Sequence, residues 1–362
     1  MRFAAIVLLI GTAGVAADFD GVAQQAAAAL QKDPPEAARL YGQAVGMRPR
    51  WAEGWFYLGA SRYELRQFAE ARDAFQRVTM LAPGNGGAWA FLGLCENELH
   101  DNKAALEHID RGEKLGLPDN PQFVAAVRLC AAEICLRGSE FTLAIGELRP
   151  LAIAGNESDA IDQAFGEAAL GIADASIAAG KSALVELAGK ALWAMYAENP
   201  DRASTLFAQL EAEYPAEAGV HYACGVYQLN TNADKALDEF REELKVNPGH
   251  VFARVQMALL LLQDGRARDA VQPAREAVSL QPQNFLCRVA LGRALFETGQ
   301  TEAAIAEFAA AAKLAPDNPQ VHFHLAQAYR RAGRAGEARK QEEEFARLNA
   351  LERPKLAEEQ AR

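Results

Sequence analysis

The stretch Ala52–Pro83, AEGWFYLGASRYELRQFAEARDAFQRVTMLAP, decides the fold. Apolar residues recur at three and four through AEGWFYLGASRYEL and, after a short break, again through AEARDAFQRVTMLAP, which is the spacing of one face of an α-helix. Two amphipathic helices are therefore predicted. Gly59 in the first and Ala71 in the second are small enough to let the pair lie close and antiparallel, while Leu58 and Phe75 fill the volume around them. Pro83 ends the second helix, because the residue before a proline is pushed out of the α region. One such hairpin cannot bury both of its apolar faces, so it must stack on another.

The same phase extends outward. Ala37, Ala71 and Ala105 are each 34 residues apart, as are Pro49 and Pro83. Toward the other end Ala236, Ala270, Ala304 and Ala338 keep the same step, and so do Pro248, Pro282 and Pro316. A fixed period of this length marks a repeat array in which each unit contacts its neighbours.

These residues resemble the tetratricopeptide repeat family, whose unit carries Trp, Leu-Gly, Tyr, Ala, Phe and Pro in a set order. The first clear unit matches at Trp55, Leu58, Gly59, Ala71, Phe75 and Pro83, with Arg62 in the tyrosine slot and Tyr63 beside it. The next has Trp89, Leu92, Gly93, Ala105 and a proline displaced by one residue, Pro118. The match returns with Tyr227, Ala236, Phe240 and Pro248, with Gly265, Ala270 and Pro282, with Leu291, Gly292, Gly299, Ala304, Phe308 and Pro316, and with Leu325, Tyr329, Gly333 and Ala338. The resemblance covers about 18–119 and 184–350. It implies an all-α fold, a right-handed α-solenoid of stacked antiparallel helix hairpins forming a tetratricopeptide-like superhelix.

The middle departs from the period. From Ala105 to Ala144 the step is 39, and from Ala144 to Ala203 it is 59. The expected organisation is thus N-terminal repeats over 18–153, a divergent insert or lengthened hairpin over 154–183, C-terminal repeats over 184–350 and a polar tail over 351–362. The insert reads as two helices around a small-residue loop near Ala178–Ser182; a hinge or a break into two sub-arrays is the alternative. In the last unit Glu342 stands where Phe75, Phe240 and Phe308 stand elsewhere, as suits a terminal face that meets water.

The chain begins MRFAAIVLLIGTAGVAA, with a cation at Arg2, an apolar run from Phe3 to Ile10 and small residues to Ala17. That is the layout of a secretory signal peptide cleaved after Ala17, and it predicts a secreted or periplasmic protein; an uncleaved apolar first helix in the cytoplasm is the alternative. The run is too short for a membrane span, which needs about 20 apolar residues. A net charge of −11 argues against nucleic acid, which calls for a basic face. Five cysteines scattered through helical text, Cys95, Cys130, Cys135, Cys224 and Cys287, are a poor disulfide framework and read as small buried apolar residues.

No phosphate-cradling glycine loop, G-x-S-x-G elbow, His-Glu-x-x-His helix or Cys-x-x-Cys pair is present. His322 and His324 sit two apart on a helix and point to different faces. No enzyme activity, metal or cofactor is expected.

In the family the first helix of each hairpin lines the concave side, where peptides lie. By phase, that implies a groove of Phe252, Val255, Leu259 and Leu262, then Leu286, Val289, Arg293 and Phe296, then Phe323, Gln327, Arg330 and Arg331. The first two groups are mostly apolar and the last is cationic, suited to an apolar or amphipathic segment with an acidic neighbour; the other reading is that several of these side chains only fill the core. Family members that clamp acidic chaperone tails use Lys and Asn where this chain has Phe56 and Ala60, which disfavours that role. The early repeats present Glu53, Phe56, Tyr63 and Glu64, then Ala90, Leu94, Asn97 and Glu98, an acidic and aromatic face. The predicted function is a non-enzymatic scaffold or adaptor for a protein or peptide partner. The alternatives are a carrier of a small apolar ligand or lipid and a regulatory subunit of a separately encoded enzyme.

Overall fold

The computed structural model describes residues 18–229 and 231–360, the side chains of 175, 176 and 351–360 excepted. The signal-peptide prediction falls on residues outside these. The described residues form two units that meet in the sequence at Asn156 and Glu157.

The first unit holds four hairpins: α1 (Phe19–Ala29) with α2 (Pro34–Met47), α3 (Ala52–Glu64) with α4 (Phe68–Leu81), α5 (Gly86–Glu98) with α6 (Asn102–Leu115), and α7 (Pro121–Arg137) with α8 (Phe141–Ile153). The second begins with α9 (Asp159–Leu170), the short α10 (Ala175–Gly180) and α11 (Ser182–Tyr196). It continues through α12 (Pro200–Glu213), α13 (Val220–Gln228), α14 (Ala233–Val246), α15 (Val251–Gln263), α16 (Ala267–Leu280), α17 (Phe285–Glu297), α18 (Thr301–Leu314), α19 (Pro319–Arg331) and α20 (Ala335–Gln360). The fold is all-helical, with consecutive helices paired as in a tetratricopeptide superhelix. The backbone of 351–360, expected as a tail, continues α20.

Local chemistry sets the helix starts. Asp18, Asp33, Asn85, Asp101, Asn120 and Asn232 each accept the N–H of the residue three further on, satisfying a donor that the helix leaves free. Prolines at the first turn of α2, α7, α12 and α19 supply a helical φ where no N–H is needed.

Packing follows the predicted hairpin. Phe75, Phe240 and Phe308 are fully buried, each contributing about 2–3 kcal/mol of hydrophobic stabilisation. Their rings lie over Gly59, Gly225 and Gly292, where a Cβ would come within 2.9, 2.5 and 2.5 Å of the ring. Ala71, Ala105, Ala236, Ala270 and Ala304 are all completely buried.

A second device recurs at the start of the first helix of a hairpin. Trp55 Nε1 donates to Pro49 O at 2.9 Å and Trp89 Nε1 to Pro83 O at 2.9 Å. In the second unit Arg288 Nε donates to Pro282 O at 2.8 Å, and His221 and His322 place Nε2 2.9 and 2.8 Å from Pro215 O and Pro316 O. In all five a side-chain nitrogen closes the turn onto the proline carbonyl six residues back. The outer end of three of these side chains also reaches the second helix: His221 meets Glu239 at 2.8 Å, Arg288 meets Glu307 at 2.8 Å and His322 meets Gln341 at 2.7 Å.

Residues 154–183 hold α9, the short α10 and the start of α11. α9 packs along α11, with α10 in the link, and α11 then pairs with α12. The α9–α11 approach is backbone to backbone: a Cβ on Gly166 would lie 1.9 Å from Val185 O, and one on Gly189 1.7 Å from Asp162 O.

Candidate functional site

In the second unit the predicted groove residues divide by burial. Val255 is core, and Leu259, Leu262 and Phe296 pack half-buried against that core; Phe252, Val289 and Arg293 are also half-buried. Leu286 and Phe323 are exposed, at 38% and 37%, as are Gln327, Arg330 and Arg331. The cationic end is already engaged. Arg330 pairs with Glu342 of α20, while Arg331 donates to Phe296 O at 2.8 Å and lies over the Phe296 ring at 4.7 Å. Phe323 meets Phe345 at 5.4 Å between ring centres. The apolar side chains left exposed on α17 and α19 are Leu286 and Phe323, with Gln327 exposed further along α19.

His250 holds the turn into α15, where its Nδ1 accepts from Ala253 N at 3.1 Å. Asn284 and Asn318 do the same work one and two periods later. Burial, assisted by Arg254, pushes the His250 pKa down to about 4. Between that value and the ordinary 6.5 an unfolded chain takes up a proton that the folded imidazole refuses. Stability is therefore lost as pH falls through this window, by up to about 3 kcal/mol for such a shift. His324, stacked on Phe308, is lowered to about 4 by the same cause. Glu113 and Asp162 run the other way: burial raises them to about 7 and about 6, so their contribution favours the folded chain at low pH and is lost as pH rises. His250→Asn keeps the acceptor without the titration. It is expected to flatten the fall in thermal midpoint between about pH 6.5 and 4; an unchanged profile would show that the His250 imidazole is as free to ionise when folded.

In the first unit a cavity of about 520 Å³ opens over α3, the turn into α5 and the turn after α6. Phe56 and Tyr57 line one side, Leu117 and Pro118 another, and Gly84, Gly86 and Gly87 the third. Behind it runs a row of rings: Tyr57 stacks on Tyr41 at 5.4 Å, Phe56 meets Phe91 at 5.7 Å, and Phe91 meets Phe123 at 4.5 Å. Glu53, Glu64 and Glu98 are exposed, and among the described residues none has an ion-pair partner. Ala90 and Leu94, which the phase placed on this face, are core. A smaller cavity of about 270 Å³ lies between α12, α13 and α14, where α13 has 9 residues against 13 in α15, α17 and α19.

Sequence reasoning missed Glu243. It is fully buried, and its carboxylate accepts Gly219 N at 2.9 and 3.0 Å and Tyr222 N at 3.2 Å, capping α13 from the neighbouring helix. The available signal was its phase, since Glu243 stands one and two periods before the buried small residues Ala277 and Ala311.

Among the described residues no group of three or more His, Cys, Asp or Glu could hold a metal ion, and no helix is long and apolar enough to cross a membrane. The five cysteines are free and buried, and burial pushes Cys95 and Cys130 up to about 12, away from thiolate chemistry.

A tetratricopeptide repeat model matches residues 52–85 and a TPR repeat model matches 292–333. Comparison with curated proteins gives no match. Among solved structures the chain is similar to a MamA RS-1 ArsTM double mutant, at 19% identity and TM-score 0.44, over 47% of this chain and 96% of that one. It is also similar to MamA 41-end from Desulfovibrio magneticus RS-1, at 19% identity and TM-score 0.43, over 46% and 96%, and to MamA MSR-1 C2, at 22% identity and TM-score 0.40, over 47% and 98%. With the repeat matched once in each unit and consecutive helix pairs along both, this chain carries tetratricopeptide repeats.

Proposed function

We propose that the chain is a non-enzymatic scaffold that holds a peptide or helix of a protein partner against the first helices of its later hairpins. The repeat fold supports protein–protein interaction in general. The observation that carries the finer reading is the face of α17 and α19 on which Leu286 and Phe323 are exposed, Val289 and Phe296 are half-buried, and Gln327 and Arg331 are exposed. Apolar side chains left open beside polar ones at helical spacing suit an amphipathic partner segment. A photo-crosslinking amino acid at Gln327 is expected to capture the same partner that is lost on Leu286→Asp, whereas the same group at Met80, exposed on α4, captures none. Equal capture at both positions would sink the assignment of this face.

A further inference from the structure

The cavity of the first unit has a chemistry that the face of α17 and α19 lacks. Its only charged lining residue is Glu53, which is exposed and forms no ion pair among the described residues. Two aromatic rings, Phe56 and Tyr57, stand one turn further along the same helix, so a group bound at the carboxylate also meets ring surface. The opposite wall is glycine on either side of Asn85. At Gly84 a Cβ would meet nothing within 4 Å, so the wall is open there, whereas one on Gly86 would lie 2.2 Å from Gly116 O, so that glycine is required by the chain's own close approach. A partner's main chain has room to approach at Gly84.

We propose that this cavity takes an arginine side chain presented by a protein partner. A planar guanidinium pairs with a carboxylate through two parallel hydrogen bonds and lays its face on aromatic rings, whereas an ammonium offers a point charge and an uncharged isostere only the shape. About 520 Å³ is room for that side chain together with its flanking backbone. An anion at the start of α5 is disfavoured, since Asn85 Oδ1 already accepts the Ala88 N–H at 2.9 Å and Glu53 repels negative charge. Glu64 and Glu98 extend the same sign on this unit, so further basic residues of the partner would be drawn to it.

The proposal names the partner chemistry within the scaffold reading but concerns a different unit, so its test stands apart from the Gln327 crosslink. Saturation-transfer NMR on the full chain would compare the N-acetyl methylamides of arginine, lysine and citrulline. The arginine derivative is expected to bind in the millimolar range, at least about fivefold more tightly than the lysine one, with the citrulline one weaker still. Glu53→Gln should weaken arginine binding at least about fivefold while leaving the thermal midpoint unchanged, because Glu53 is exposed. Binding of citrulline as tight as arginine, arginine binding unaffected by Glu53→Gln, or no transfer up to about 20 mM arginine derivative would each overturn the assignment.

Discussion

Gly189→Ala is expected to separate α9 from α11 and to destabilise the second unit by about 3–5 kcal/mol, beyond the usual cost of overpacking. The added Cβ would sit 1.7 Å from Asp162 O and 2.6 Å from the carbonyl carbon. Both are main-chain atoms, so no rotamer change makes room and the helices themselves must move. Moving them uncovers Phe165, Ala188 and Leu192, which are buried in this part of the unit. Gly42→Ala in α2 provides the contrast. Nothing lies within 4 Å of its Cβ, so a helix-interior glycine there only adds freedom to the unfolded chain, and its replacement should stabilise by about 0.5–1 kcal/mol. Denaturant unfolding followed by the fluorescence of Trp193, on α11, reads the first variant. A Gly189→Ala midpoint equal to the parent's would mean that the close helix approach does not exist.

Glu243→Ala is expected to cost about 3–4 kcal/mol, because two buried N–H groups, of Gly219 and Tyr222, lose their acceptor at about 1–3 kcal/mol each. Gly219 cannot replace the lost cap: it has φ +90°, and a Cβ on it would meet Leu170 Cα at 2.7 Å. Glu243→Gln keeps one good acceptor but turns its NH₂ toward an N–H, so about half the loss is expected. The comparison should also depend on pH. Burial raises the Glu243 pKa more than the Gly219 and Tyr222 N–H bonds, His221 and Asn247 lower it. The folded pKa then exceeds the unfolded one, and the associated stability is lost as pH rises through the folded value. Gln does not titrate, so the gap between parent and Glu243→Gln should narrow toward alkaline pH. Hydrogen exchange at Gly219 and Tyr222 tests the cap directly. Unchanged protection in Glu243→Ala would remove the carboxylate from that role.

The candidate sites were only partly legible in the text. Phase alone found the helices that carry Phe252, Leu286 and Phe323, since side-chain direction along a helix follows from position. It could not say that Val255 is core while Leu286 is open, or that Arg330 and Arg331 are engaged by Glu342 and Phe296. Those outcomes depend on what the next helix brings to the same place. The cavity at Glu53 escaped notice for a related reason: its walls come from α3 and from the two ends of the next hairpin, and Gly84–Gly87 reads as an ordinary turn until Gly116 is seen behind Gly86.

Periodicity by itself determined that the chain is a stack of hairpins with Ala71, Phe75 and their equivalents at its centre, because a repeated local pattern makes the same short-range contacts in each unit. Tertiary structure alone decided how the irregular positions are satisfied. Arg288 and His322 stand at the phase of Trp55 and Trp89, and His221 one residue beyond it, yet each offers the N–H that the proline carbonyl needs. Glu243 carries no mark in the text, yet it supplies the acceptor that α13 lacks. A buried polar group must find its partner wherever the fold places one, and that partner is often a helix away, where no local pattern records it.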